Sequence, residues 1–298
     1  MNLTRRTALF MSLAACATAR AAAPRSEPPF EALAQLERRA GGRLGVAVLD
    51  VGTGQAWAHR GDERFGMCST FKLPLAAATL ARIDAGTWQG TDTLLLRPQE
   101  IVGHAPITRA RVKQGRMSLM DLAQAAQTHS DNGAANLLLR HLGGPAAFTA
   151  WLRTQGDATT RIDRMEPEMN HVVQGDLRDT TTPAAMAALT ARLVVGDSLL
   201  PANRERLVGW MRATETGLRR LRAGLPANWM CGDKTGTGMS PDMPDRYNDV
   251  AVCWPAGRAP LVIAAYYEGP HINSERIRPE AEAVLADVGR LVAAQFTG

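Results

Sequence analysis

A chain of 298 residues with 45% hydrophobic content is long enough for one large domain or two intimate ones that bury a real core. Its formal charge is +5, but Arg5, Arg6 and Arg20 fall in the first 23 residues, which hold no acid, and without them the balance is +2. No Lys/Arg block tracks a nucleic-acid backbone, so a nucleic-acid partner is not expected, while a weakly positive protein can still draw in anionic small molecules.

The chain opens with a charged start, "MNLTRR", a short apolar core, "TALFMSLAACATA", and small residues, "ARAAA". Residues 1–23 therefore read as an export signal, and the protein is expected in the periplasm. "TRRTALF" resembles a twin-arginine signal. "LAAC", ending at Cys16, resembles a lipoprotein box, which leaves a lipid-anchored form as an alternative. The apolar core is too short to span a bilayer, and no later stretch is apolar enough, so no transmembrane segment is expected.

Residues 28–42 carry apolar side chains at helical spacing and end in two glycines. "RLGVAVLDVGTGQAWAHR" (43–60) reads as two strands around a glycine-containing turn. From about 61 to 212 the signals are helical. "SLMD" (118–121) opens a helix through Thr128 with a capping pattern. "AANLLLRHLGG" (134–144) is a helix stopped by glycines, and "TPAAMAALTARLVVG" (182–196) combines a Thr cap, a Pro at the first helical position and a Gly stop. Strands return in "WMCGDKTGT", "NDVAVCWP" and "PLVIAAYYEG". Residues 279–296 form a closing helix.

Strands at both ends with helices between them predict an α/β (α+β) protein: an antiparallel sheet flanked by terminal helices, beside an all-helical subdomain. The expected division places 24–60 with 213–298 in a discontinuous α/β part and 61–212 in the helical part. Within the latter, residues 157–181 have little apolar periodicity and many interleaved charges, among them Arg161, Asp163, Arg164, Glu166, Asp176 and Asp179. A long irregular loop in a compact domain is usually functional, and the mixed signs predict that its own ion pairs tie it down.

Four short motifs follow one another. Ser69-x-x-Lys72 sits at a helix start, because Pro74 is tolerated only there. Residues three apart share a face, so hydroxyl and amine can meet, and a buried lysine near other cations can become a base. Ser130-Asp131-Asn132 lies in the break between two helices. "EPEMN" places Glu166 and Asn170 four apart in the charged loop. "KTGTG", Lys234 to Gly238, ends a strand, where a β-edge and a cation could hold an extended anionic substrate.

Together, in this order, the motifs resemble those of the class A β-lactamases. The resemblance runs over nearly the whole chain after the first segment and includes "RIDRMEPEMN" (161–170), "DLRDTTTPAAMA" (176–187) and "LRAGLP" (221–226). It implies a β-lactamase/DD-peptidase-like fold and a hydrolase that opens β-lactams and confers resistance to them. Ser69 would be acylated, with Lys72 activating it. Ser130 would relay a proton to the leaving nitrogen, and Glu166 with Asn170 would direct the deacylating water. Asn132 would hold the substrate's side-chain amide. Lys234, Thr235, Gly236 and Thr237 would line the carboxylate and oxyanion side, the backbone N–H groups of Ser69 and Thr237 forming the oxyanion hole.

No metal or other cofactor is implied, and the six His are scattered. A monomer is the family expectation. The rival readings are a D-alanyl-D-alanine peptidase, which would lack the E-P-x-x-N loop, and a penicillin-sensing binding domain, which would lack an effective deacylating glutamate and would usually carry a membrane domain.

Several positions stay open at this level. Arg220 matches the arginine that helps bind the carboxylate in some members, or is a solvated helix-end residue beside Arg219. His104 matches an aromatic at the cleft rim, or is a surface histidine. Cys68 adjoins the nucleophile; in some carbapenem-hydrolysing relatives the matching Cys pairs with one at the position of Gly238 here, so this pairing is lost and Cys68 reads as a buried filler. Cys231 and Cys253 form either a cross-strand disulfide or, the favoured reading, two packed free thiols. "MSPDMPDRY", between Gly238 and Asn248, is longer than the family's usual connection. It raises the question whether Arg246 serves the carboxylate in place of Arg220.

Overall fold

A computed structural model of the chain describes residues 29–296. The export signal, the twin-arginine pattern and Cys16 lie outside the described residues. Helix α1 (Phe30–Ala40) turns Leu33 and Leu36 inward and ends at Gly41, whose φ of 71° suits a residue without a Cβ. Strands β1 (Arg43–Asp50) and β2 (Ala56–His59) follow as a hairpin.

The middle of the chain holds β3 (Phe65–Gly66), α2 (Lys72–Asp84), β4 (Thr93–Leu95), α3 (Pro106–Arg111), β5 (Arg116–Ser118), α4 (Leu119–Thr128), α5 (Asn132–His141), α6 (Pro145–Thr154), β6 (Thr180–Thr181), α7 (Pro183–Val194) and α8 (Pro201–Arg212). The caps are where the sequence put them. Ser118 Oγ accepts from Asp121 N at 3.1 Å and Thr182 Oγ1 from Ala185 N at 3.2 Å, each bond worth about 1 kcal/mol to its helix.

The expectation of a purely helical middle needs one correction. β3 pairs with β6, and β4 with β5, both antiparallel. Strands of two or three residues are too short to show an alternating pattern, so their pairing was invisible in the sequence.

The last third contains the short helix α9 (Leu221–Gly224), strands β7 (Met230–Gly238), β8 (Pro244–Trp254) and β9 (Leu261–Ile272), and helix α10 (Pro279–Ala294). The main sheet is antiparallel in the order β2-β1-β9-β8-β7, so strands from both ends interleave. Side chains alternate between its faces, as the pleat requires. On β9, Leu261, Ile263, Ala265 and Tyr267 join a core with α1 and α10, whereas Val262, Ala264 and Tyr266 join the larger core with the helices of the middle region. Residues 157–181 run along the edge of this helical layer, and β6 closes them against β3.

Candidate active site

Ser69 lies in a tight 3-10 turn, Cys68–Phe71, that runs straight into α2, whose first residue is Lys72. Cys68 holds a left-handed φ of 46°, an uncommon backbone state for a non-glycine and one that clusters at functional sites. The Lys72 side chain is completely buried. Its Nζ donates to Ser69 Oγ at 2.9 Å, to the Ser130 carbonyl at 2.9 Å and to Asn132 Oδ1, and Glu166 Oε1 lies 3.1 Å away. A buried ammonium is tolerable only when paired, and Glu166, itself 3% exposed, is its counter-ion.

Ser130 occupies the break between α4 and α5 with φ of 57°. The middle residue of the tripeptide, Asp131, is structural: its carboxylate accepts from Ile107 N, Thr108 N, Thr108 Oγ1 and Ala134 N at 2.8–2.9 Å. These bonds fix the link so that Ser130 and Asn132 face Lys72. Ser130 Oγ accepts from Lys234 Nζ at 3.1 Å, and Lys234 also donates to the Thr235 carbonyl at 2.8 Å. Burial pushes the Lys234 amine well below the ordinary lysine range, and the nearby Lys72 charge pushes it further.

Glu166 is held from both sides. Asn170 Nδ2 donates to its Oε2 at 2.6 Å. Asn136, a residue the sequence reading passed over, clamps its backbone: Asn136 Nδ2 donates to Glu166 O at 2.8 Å, and Glu166 N donates to Asn136 Oδ1 at 2.9 Å. The clue was its spacing, since Asn136 stands one helical turn beyond Asn132 on α5. The Glu166–Pro167 peptide is cis. Asn170 Oδ1 is buried and finds no hydrogen-bond partner among the described residues.

The ends of the loop are tied by its own charges, as expected. Arg164 Nε meets Asp179 Oδ2 at 2.5 Å, and Asp179 Oδ1 accepts from the backbone N–H of Asp163 and of Arg164.

The end of β7 closes the site. A Cβ at Gly236 would stand 2.6 Å from the Met67 carbonyl and 3.2 Å from Ser69 N, and one at Gly238 would stand 2.7 Å from Cys68 Sγ. Glycine at both positions lets the strand press against the turn that carries the nucleophile. Thr235 Oγ1 shares a hydrogen with Thr216 Oγ1 at 2.6 Å.

Arg220 is no solvated helix end. It is 1% exposed, while the neighbouring Arg219 is exposed. Its guanidinium donates to the carbonyls of Gly236 and Asn248 at 2.9 Å, to Thr237 Oγ1 at 2.6 Å and to Glu282 Oε1 at 3.2 Å. Arg246 is engaged elsewhere, with Glu268 and with the carbonyls of Asn170 and Val172 in the charged loop. His104 has an exposed ring bonded to the His129 carbonyl, and its own carbonyl accepts from Asn132 N at 2.9 Å. Its backbone therefore supports the site.

All three cysteines of the described region are free. Cys231 and Cys253 are register partners on β7 and β8. Burial pushes the Cys68 thiol up to about 12, so it is an inert filler behind the nucleophile.

Residues 28–296 match the family model described as the beta-lactamase enzyme family. The chain is 46% identical to the β-lactamase AST-1 of Nocardia asteroides over 267 residues, 90% of this chain and 82% of that protein. Among solved structures, an ancestral (GNCA) class A β-lactamase superposes with a TM-score of 0.84 at 53% identity, covering 90% of this chain and 99% of the other. A β-lactamase from Xanthomonas campestris gives a TM-score of 0.82 at 45% identity, covering 89% and 96%. The order of motifs, their convergence around one buried lysine and these likenesses agree: the chain belongs to the class A β-lactamases, the serine hydrolases that open β-lactams.

Proposed function

We propose that Ser69 is the nucleophile and Glu166 the deacylating base of a two-step hydrolysis. One observation carries this reading: the buried Lys72 amine bridges Ser69 Oγ, 2.9 Å away, and Glu166 Oε1, 3.1 Å away. The Ser69 proton leaves into this pair as Oγ attacks the lactam carbonyl carbon. The oxyanion that forms is met by the backbone N–H groups of Ser69 and Thr237, preorganised by the close approach of β7. The C–N bond then breaks, and the lactam nitrogen takes a proton from Ser130, which Lys234 backs at 3.1 Å; Ser130 regains a proton from the Lys72–Glu166 pair, and Glu166 is left ionised for the second step. Lys234, Thr235 and the Thr237 hydroxyl held by Arg220 receive the substrate carboxylate, and Asn132 receives the side-chain amide.

Deacylation requires a water between Glu166 and Asn170. The Glu166 carboxylate and the unpartnered Asn170 Oδ1 supply the two acceptors that would orient it. Glu166 removes its proton, hydroxide adds to the ester carbonyl, and Ser69 leaves with a proton returned through Lys72.

The β-lactam substrates, a monomeric state and export to the periplasm belong to the same reading. Among the described residues no helix is long and apolar enough to cross a membrane. The two hydrophobic cores on either side of the sheet support the division into 24–60 with 213–298 and 61–212.

The test follows hydrolysis of a chromogenic cephalosporin and a penicillin together with the intact protein mass. The parent should turn over steadily, whereas Glu166→Ala should stop after one equivalent with a stable adduct on Ser69. A parent that itself stops after one equivalent would be a sensor or peptidase, not an enzyme that turns over β-lactams.

A further inference from the structure

Arg246 is a buried cation outside the constellation that handles substrate. It is 4% exposed and lies on β8, opposite Gly238 on β7 and Glu268 on β9. Arg43 on β1 is the register partner of the same Glu268. Directly opposed residues point to one face of a sheet, and the three side chains form an Arg–Glu–Arg row. Arg43 Nε donates to Glu268 Oε2 at 3.0 Å and Arg246 Nε to Oε1 at 3.1 Å. Arg43 is fixed in turn by Glu63 at 3.1 Å, by the Arg64 carbonyl at 2.8 Å, and by the Phe65 ring 3.9 Å from its guanidinium carbon.

What remains of the Arg246 fork is aimed at the loop. Nη1 donates to the Asn170 carbonyl at 3.2 Å and Nη2 to the Val172 carbonyl. Asn170 is the residue whose side chain donates to Glu166 at 2.6 Å. The loop beyond it has little else behind it. His171, Val173, Gln174, Gly175, Leu177 and Arg178 are exposed. An open cavity of about 730 Å³, walled by Arg43, Val172, Gly175, Met243, Arg246 and Glu268, borders the segment.

We propose that Arg246, braced by Glu268 and Arg43, is a positioning residue for deacylation: it fixes the Asn170 peptide, and through the Asn170 amide the carboxylate of Glu166. This inference rests on the two-step reading above. Arg246 touches neither the substrate carboxylate side of the site nor Ser69, so it should govern the second step and spare the first. Only a planar fork reaches two carbonyls and a carboxylate at once, and lysine cannot reproduce that geometry.

The experiment measures both steps on one substrate, a chromogenic penicillin. Stopped-flow gives acylation, and quenched-flow intact mass gives the acylated fraction at steady state. For Arg246→Met, deacylation should fall about 10- to 100-fold, the usual cost of a misplaced catalytic group, and acylation should stay within about threefold of the parent. The acyl-enzyme should then dominate at steady state. Arg246→Lys and Glu268→Gln, each of which keeps part of the row, should lie between parent and Arg246→Met, and they carry the test if Arg246→Met does not fold.

Equal losses in acylation and deacylation, or an unchanged acylated fraction in all folded variants, would overturn the proposal. A parent that fails to turn over would instead sink the hydrolase reading on which it stands.

Discussion

Replacing Asn136 by leucine should both weaken the fold and trap the acyl-enzyme. The side chain is 5% exposed and makes two hydrogen bonds, one to each backbone polar group of Glu166. Leucine has the same branched shape and is somewhat larger, so the change opens no cavity. It does leave a buried N–H and a buried carbonyl unpaired. Each such group costs about 1–3 kcal/mol, so a loss of about 2–6 kcal/mol is expected. Urea unfolding with an unchanged m-value would measure it as a lower midpoint.

The same change frees the peptide of the catalytic glutamate, so deacylation should slow more than acylation. Intact-mass analysis during turnover would show the adduct on Ser69. A variant that loses less than about 1 kcal/mol and turns over normally would refute the reasoning, because Glu166 would then be held by something other than this clamp.

Gly236→Ala should lower kcat/KM sharply with little change in expression, because the new Cβ would meet the Met67 carbonyl at 2.6 Å and push β7 off the nucleophile's turn. A steady-state assay against the chromogenic cephalosporin checks this. Lys234 adds a pH dependence. Its folded-state pKa is well below the ordinary lysine value, so it loses its charge as pH rises through that lowered pKa. KM for an anionic β-lactam should then rise on the alkaline side, earlier than a free lysine would dictate, and Lys234→Arg should move that limb to higher pH. For stability the sign is opposite. Between the lowered folded pKa and the unfolded value, the unfolded chain binds more protons, so this group's contribution makes the fold more stable as pH rises through that window.

The sequence made the catalytic set legible because each member stands in a short motif with a local reason. Ser69 and Lys72 are three apart at a helix start, and Glu166 and Asn170 four apart in a charged loop. Strand and helix identity followed from periodicity and caps, as at Ser118 and Thr182. What stayed hidden depends on residues far apart in the chain. Asn136 acts on Glu166 across 30 positions, and Arg246 reaches Asn170 across 76. Arg220 reads in sequence as one of two adjacent charges, and only its burial under β7 and β8 distinguishes it from Arg219. No local pattern encodes such meetings. The same holds for β3 and β6, whose two-residue ladder joins Phe65 and Gly66 to Thr181 and Thr180 across most of the helical region.

The interleaving of the main sheet has a consequence for how the chain reaches its native state. β1 finds its central neighbour in β9, with Arg43 opposite Glu268, so the first strand has no sheet to join until the last third of the chain is present. Until then β1 and β2 are an isolated hairpin, which is marginal in water. The helices between them are built on local contacts and can form first, whereas closing a loop of more than two hundred residues is entropically late and slow. Ser69 can therefore acquire its lysine early, but Gly236 and Lys234 arrive on β7 only as the sheet zips up. The oxyanion side of the site and the final cooperative step of folding should appear together, so catalytic competence would serve as a clock for completion of the sheet.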